Sequence, residues 1–176
     1  MKIFLVAGKA GSGKREVAKM IKEFFIYEKQ ETVITGYSKY LKLFAGEIVD
    51  WDGSDATKPR DFLQSLGSTI RGELGMPYFF VDRMLDDIKV YEKYATVCVI
   101  DDVRLPEEIE EIKKNYDDVI SIYVINQFGN SNLTVEQQIH PTETALENYD
   151  KFDYTLINSD LAVLKDELFK ILGDHK

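Results

Sequence analysis

The chain has 176 residues, which suits a single domain with a sizeable core. Hydrophobic residues make up 44% and charged residues 30%, as in soluble globular domains. The net charge of −9 argues against nonspecific binding to nucleic acid polymers or anionic membranes. The single cysteine excludes an intramolecular disulfide, and the first apolar stretch is too short for a signal peptide or a membrane span, so we expect a cytoplasmic protein.

Apolar periodicity predicts strands and helices that alternate along the chain. The predicted strands are residues 3–7, 32–35, 95–100, 119–125 and 154–157. The predicted helices are residues 14–27, 39–48, 60–74, 77–92, 106–115, 142–147 and 160–172, with Ser38 as the cap of the second. Thr134 and Gln137 resemble the capping box of a further short helix. This order predicts a parallel α/β sheet covered on both faces, which binds ligands beyond the carboxyl ends of its strands.

The first predicted strand leads into a G-x-x-x-x-G-K motif, GKAGSGK, at residues 8–14. Its glycines let backbone N–H groups turn toward phosphate oxygens, where side chains would block their approach. Lys14 adds a positive charge for the β- and γ-phosphates, and the following helix directs its N-terminus at the same anion. The sequence therefore predicts a P-loop, a name kept below for residues 8–14. Contacts to the phosphates of a nucleotide are expected from Gly8, Ala10, Gly11, Ser12, Gly13, Lys14 and Arg15.

Arg15 stands where a P-loop has Ser or Thr, whose hydroxyl binds Mg²⁺. Either Mg²⁺ is held mainly through water and acidic residues, or the site binds nucleotide without turning it over. A third reading is a glycine-rich turn between strand and helix that binds no ligand.

Two acidic residues, Asp101 and Asp102, follow the apolar run of the third predicted strand. Beside a P-loop, an acidic residue at the end of a buried strand holds Mg²⁺ directly or through water, so one of the two is expected to do so. The alternative is that one of them caps the helix that begins at Pro106. Arg104 comes next, where its guanidinium would clamp a phosphate with two hydrogen bonds.

Arginine is scarce in this chain. Arg60 and Arg71 lie on one predicted helix and Arg83 on the next. Because phosphoryl transfer needs fixed cations, we expect this set to face a phosphorylated acceptor. The alternative for each is a surface salt bridge. Residues 115–150 contain no Lys or Arg and therefore supply no cationic lid.

Over most of its length the chain resembles the phage-type deoxynucleoside monophosphate kinases, in the nucleoside monophosphate kinase branch of P-loop proteins. The matching segments are GKAGSGKREVAKMI, KPRDFLQSLGSTIR, FVDR at residues 80–83, IDDVRLPEEIEEI, HPTETAL and FDYTLINSDLAVLKDEL. The resemblance implies a three-layer P-loop NTPase sandwich with a five-stranded parallel sheet, in one domain over residues 1–176. It also implies a helical acceptor-binding insertion at about residues 37–93 and a short lid-like region at about residues 126–148.

The resemblance further implies that ATP, with Mg²⁺, donates its γ-phosphoryl group to the phosphate of a deoxynucleotide. Lys14 and Arg104, with Asp101 or Asp102, would then act at the transferring group, and the two carboxylates would hold Mg²⁺ through water. The acceptor nucleotide would contact Ser38, Arg60, Gln64, Arg71 and Arg83. Asn158 and Ser159 would lie beside the donor base.

Three hypotheses follow from the sequence. The first is a kinase of (deoxy)nucleoside monophosphates, whose partners are small-molecule nucleotides. The second is another small-molecule P-loop kinase, similar to phosphomevalonate kinase or dephospho-coenzyme A kinase. The third is a regulator that binds ATP without transferring phosphate, which Arg15 and the uncharged lid favour.

Overall fold

Five parallel strands form one sheet in the structure, a computed structural model that describes residues 1–129 and 133–175. The strands are β1 (Lys2–Ala7), β2 (Thr32–Thr35), β3 (Val97–Val103), β4 (Val119–Asn126) and β5 (Tyr154–Asn158), in the spatial order β2-β3-β1-β4-β5. All neighbouring strands pair in parallel. The predicted five-stranded parallel sheet is therefore confirmed, and every strand ends at the same edge.

Eight α-helices connect and cover the strands within the described residues. They are α1 (Lys14–Tyr27), α2 (Lys39–Ile48), α3 (Arg60–Ser68), α4 (Phe79–Tyr91), α5 (Pro106–Asn115), α6 (Val135–Gln138), α7 (Pro141–Thr144) and α8 (Leu161–Gly173). A π-helical turn, Thr69–Glu73, continues α3. None of these helices is both long and apolar enough to cross a membrane.

Most predicted helices are confirmed, and the differences have local causes. The Thr134–Gln137 capping box is present at α6. The helix predicted at residues 142–147 ends at Thr144. It begins at Pro141, because the His140 side chain caps its N-terminus and proline fits the first helical position. The lid-like region at about residues 126–148 includes residues 130–132, which lie outside the described residues.

Alternating side chains of β1 divide the core into two layers. Ile3 and Leu5 face a cluster built with α2, α3, α4 and α5. Phe4 and Val6 face a second cluster built with α1 and α8. Since both faces of the sheet bury apolar side chains, its strands read as nearly continuous hydrophobic runs. The three-layer sandwich is confirmed.

Strand β3 is longer than the sequence predicts. It continues past Ile100 to Val103, after a shift of register against β1 between Leu5 and Ala7. Asp101 and Asp102 are therefore among the last residues of the strand and not part of a following loop. The extension carries both carboxylates to the sheet edge where the P-loop begins.

Candidate active site

The P-loop has a backbone that requires glycine at defined positions. Gly8 has φ 145° and Gly13 has φ 100°, both in the region that L-residues with side chains avoid. A Cβ atom at Gly8 would lie 2.4 Å from the carbonyl oxygen of Val124, and one at Gly13 would lie 2.4 Å from Asn158 Nδ2. The loop therefore packs tightly against the ends of β4 and β5, as a cradle for an anion needs.

Lys14 lies buried beneath the P-loop rather than in solvent. Its Nζ donates hydrogen bonds of 2.7 Å to the carbonyl oxygens of Gly8 and Lys9. Burial, and secondarily the positive charge of Arg104, lowers the pKa of Lys14 to about 7. In the same loop, Ser12 Oγ is buried without a hydrogen-bond partner among the described atoms. Both groups fit a bound phosphate, which would supply Ser12 with an acceptor and Lys14 with a counter-charge.

Asn158 supports the P-loop from β5. Its Nδ2 donates a 3.0 Å hydrogen bond to the carbonyl oxygen of Ser12, and Asn126 on β4 donates 3.1 Å to that of Gly11. The two asparagines are register partners across β4 and β5. Asn158 therefore contacts the loop itself, and the expectation that Asn158 and Ser159 lie beside the donor base stays a prediction.

The two carboxylates of β3 have different surroundings, which the sequence does not distinguish. Asp102 accepts hydrogen bonds from the backbone N–H groups of Tyr37 (2.7 Å) and Ser38 (3.0 Å), and also from the Ser38 hydroxyl. It therefore ties the end of β3 to the residues that connect β2 to α2. The Ser38 side chain does not cap α2 as predicted, because its hydroxyl donates to Asp102 instead.

The Asp101 carboxylate has no hydrogen-bond partner within the described part of the chain. Burial, and secondarily the neighbouring charge of Asp102, raises the pKa of its carboxyl group. Lys14, Arg15 and Lys42 act on it electrostatically in the opposite direction. Asp101 is thus the carboxylate better placed to accept hydrogen bonds from water around a metal ion. Among residues 1–129 and 133–175, no group of three or more His, Cys, Asp or Glu side chains is arranged to hold a metal ion.

The alternative role for the acidic pair, capping of α5, is wrong. Glu108 takes that role, with Oε2 accepting hydrogen bonds from the backbone N–H groups of Arg104 (2.7 Å) and Leu105 (3.1 Å). Glu108 is completely buried, which raises the pKa of its carboxyl group to about 8. The sequence signal was Glu108 itself, two residues after Pro106 at the third position of the helix.

Arg71 is held by three parts of the structure. It belongs to the π-helical turn, its guanidinium lies 4.6 Å from the centre of the Phe80 ring, and its Nη2 lies 3.7 Å from Glu108 Oε1. π-Helical turns inside helices occur often at functional sites. Here the turn, the ring and the carboxylate fix one arginine at the wall of a cleft.

The P-loop and helices α2 and α3 enclose a cleft of about 670 Å³, a volume typical of small-molecule sites. The cleft brings together most of the predicted site residues. Those that line it are Ala10, Gly11, Ser12, Gly13, Lys14, Arg15, Ser38, Arg60, Gln64, Arg71, Asp101, Asp102 and Arg104.

Arg83 lies elsewhere. Its guanidinium pairs with Asp86 at 2.7 Å on the outside of α4, where both side chains are about half exposed. Arg83 therefore forms a surface salt bridge, the alternative role given for it above, and it lies away from the residues that line the cleft.

Two lysines on the cleft wall were missed by the sequence analysis. Lys42 and Lys58 line the cleft beside Arg60, and these three residues are called the cationic wall below. Within the described residues none of the three forms an ion pair. Burial, together with the charges of Lys42 and Arg60, lowers the pKa of Lys58. Asp55 lines the same cleft and acts electrostatically on Lys42 and Lys58 without forming an ion pair with either. Three cations held close together favour the binding of an anion.

A carboxylate was missed as well. Glu143 on α7 places Oε1 2.7 Å from Arg104 Nη1 and accepts a 2.8 Å hydrogen bond from the backbone N–H of Ala10 at Oε2. It joins two groups that the sequence assigns to phosphate. The only sequence signal was the segment HPTETAL, which has no local pattern that places Glu143 beside the P-loop.

Comparison with known proteins identifies the fold. The sequence matches no protein-family model and no curated protein. Among solved structures, shikimate kinase from Aquifex aeolicus vf5 is similar with a TM-score of 0.50 and 14% identity, over 99% of this chain and 98% of that chain. Shikimate kinase from Acinetobacter baumannii, in complex with shikimate, gives a TM-score of 0.41 and 15% identity, over 97% of this chain and 90% of that chain.

The chain has a P-loop kinase fold. At 14% identity the likeness concerns the arrangement of strands and helices and not the acceptor. In this P-loop kinase fold the order of the parallel strands places the P-loop, β3 and α7 around one cleft.

Proposed function

We propose that this protein is an ATP-dependent kinase whose acceptor is a phosphate monoester, of the (deoxy)nucleoside monophosphate class. The products would be ADP and the corresponding diphosphate. The observation that carries the proposal is the cationic wall, which lines the same cleft as the P-loop and forms no ion pair within the described residues.

The cationic wall favours a phosphorylated acceptor over a neutral one. Three cations side by side repel one another, and the lowered pKa of Lys58 reflects that repulsion together with burial. An acceptor phosphate with two negative charges would relieve the repulsion and gain charge-assisted hydrogen bonds. A neutral acceptor hydroxyl would leave all three cations without a partner.

The rest of the cleft suits the remainder of a nucleotide. Tyr37, Leu41 and Leu63 supply apolar surface, and Gln64 supplies an amide that both donates and accepts hydrogen bonds. This combination of apolar contact and one polar edge is what a nucleobase requires. The preferred base and sugar are left to measurement.

The proposed chemistry needs alignment and charge neutralisation rather than a general base, because the acceptor oxygen is already anionic. That oxygen forms a bond to the γ-phosphorus of ATP while the bond from this phosphorus to the β–γ bridging oxygen breaks, and ADP leaves with the electron pair. Lys14 and Arg104 would neutralise charge on the transferring group, and Arg60 and Arg71 would orient the acceptor. Bound Mg²⁺ would neutralise phosphate charge, with Asp101 accepting hydrogen bonds from its water and Asp102 fixing α2.

An acceptor panel tests the proposal. ADP release is measured with Mg-ATP and each of the deoxynucleoside and nucleoside monophosphates, phosphomevalonate, dephospho-coenzyme A and shikimate. We expect release that depends on a subset of the nucleoside monophosphates. ADP release with one of the other acceptors would show that the proposed acceptor class is wrong. No ADP release from a protein shown to bind ATP would favour a non-catalytic regulator.

A further inference from the structure

Glu143 occupies a place at the P-loop where a phosphate would be expected. Each carboxylate oxygen has one donor, the Arg104 guanidinium at 2.7 Å and the Ala10 N–H at 2.8 Å. The side chain is only 7% exposed. A carboxylate removed from water in this way is stabilised by these two donors, and they are the same kinds of donor that bind phosphoryl oxygens in P-loop proteins.

We propose that the Glu143 carboxylate holds the phosphoryl position of the P-loop in the nucleotide-free protein, and that a phosphate of ATP displaces it. This inference rests on the proposed function insofar as the P-loop binds ATP. The single Ala10 N–H can serve only one of the two anions, and a phosphate bound beside the Glu143 carboxylate would be repelled by its negative charge. Displacement of Glu143 therefore releases Arg104 to the phosphate.

Glu143 is the side chain of this region that competes with a phosphate, because its neighbours make other contacts. Glu147 pairs with Lys9, but both side chains are about half exposed, and such pairs contribute little. His140 Nε2 lies 3.2 Å from Ser68 Oγ on α3. Within the described part of residues 133–147, Glu143 is thus the carboxylate that reaches a backbone amide of the P-loop.

The consequence is a link between nucleotide binding and α7. Glu143 lies in the middle of this four-residue helix, and its bonds to Ala10 and Arg104 anchor the helix to the P-loop and to the end of β3. When ATP takes over both donors, α7 loses this anchor. Its backbone amides should then exchange hydrogen faster, while those of the P-loop become more protected.

Matched charge-neutralising variants test the inference. ATP affinity is measured by calorimetry for the wild type, Glu143→Gln and Glu147→Gln. Both variants remove one negative charge near the loop, but only Glu143 contacts Ala10 and Arg104. We expect Glu143→Gln to bind ATP about tenfold more tightly, since the competing anion is gone, and Glu147→Gln to stay within about twofold of the wild type.

The outcomes separate this inference from the proposed function. If the wild type binds ATP and Glu143→Gln binds it equally or more weakly, the displacement is wrong. If the wild type does not bind ATP, the nucleotide site and the inference both fail. Should Glu143→Gln not fold, amide hydrogen exchange of residues 142–144 in the wild type decides: faster exchange with ATP supports displacement, and unchanged or slower exchange overturns it.

Discussion

The two walls of the cleft differ in how their polar groups are satisfied. In the P-loop, Lys14 donates to loop carbonyls and the Ala10 N–H donates to Glu143, so these two donors have protein partners, whereas Ser12 Oγ has none among the described atoms. The cationic wall of Lys42, Lys58 and Arg60 has no ion pairs in the described chain. Donors that already have protein partners must give them up to bind phosphate, whereas the cationic wall can bind phosphate without losing an ion pair. The two walls should therefore respond differently to mutation and pH.

The largest effect is expected at Lys14. Lys14→Ala removes the buried charge that would stabilise the transferring phosphoryl group, and we expect kcat to fall roughly 10²–10³-fold. Stability should not fall, because burial already disfavours the charged lysine, as its lowered pKa shows. Steady-state kinetics and thermal unfolding measure the two parts. Near-normal turnover in the variant would remove the P-loop from catalysis.

A smaller effect, confined to the other substrate, is expected at the cationic wall. Arg60→Ala removes a charged donor to the acceptor phosphate, and we expect the acceptor KM to rise roughly 10- to 100-fold. The ATP dissociation constant should change little, since Arg60 lies outside the P-loop. Substrate-dependence kinetics with each substrate in turn separate these values, and a loss restricted to ATP binding would contradict an acceptor-side role.

pH should affect the P-loop wall through Lys14. Its pKa of about 7 in the free protein means that Lys14 is mostly neutral at pH 8, whereas ATP phosphates would raise the pKa and favour the charged form. ATP binding should therefore take up a proton above pH 7, and affinity should fall about tenfold between pH 7.5 and 8.5. Calorimetry in buffers of different ionisation enthalpy measures the uptake. In Lys14→Met the uptake should vanish, and its persistence there would assign the proton to another group.

The smallest effect is expected at Arg83. The sequence places this arginine among the acceptor-binding residues, but the structure pairs it with Asp86 on the exposed side of α4. Arg83→Ala should leave kcat and both KM values within about twofold of the wild type. It also matches Arg60→Ala in chemistry. An acceptor KM that rises as much as in Arg60→Ala would restore Arg83 to the site.

The P-loop could be predicted from the sequence because its residues are contiguous. The spacing of Gly8, Gly13 and Lys14 defines both the turn and the helix that follows, so strand, loop and helix are predicted together. The position at which β3 ends was predicted less accurately. The apolar run stops at Ile100, but the strand continues to Val103. Asp102 lies in this extension and accepts hydrogen bonds from the backbone just before α2.

The cationic wall and Glu143 could not be predicted because they depend on tertiary contacts. Lys42 lies on α2 and Lys58 in the segment before α3, and only the fold brings both beside Arg60 in the lining of one cleft. Glu143 and Ala10 are separated by 133 positions. No local periodicity relates residues so far apart, whereas the parallel sheet brings β1, β3 and the segment after β4 to one edge.

Bisubstrate analogues test most directly whether the two walls bind the phosphates of two nucleotides in one cleft. Adenosine is joined through five phosphates to each of the four common deoxynucleosides, and binding is measured by calorimetry. We expect one analogue to bind at least about 100-fold more tightly than ATP, because linkage makes the second contact intramolecular. Both Lys14→Ala and Arg60→Ala should weaken it. If no analogue binds more tightly than ATP, the cationic wall does not receive a nucleotide phosphate and the account is contradicted.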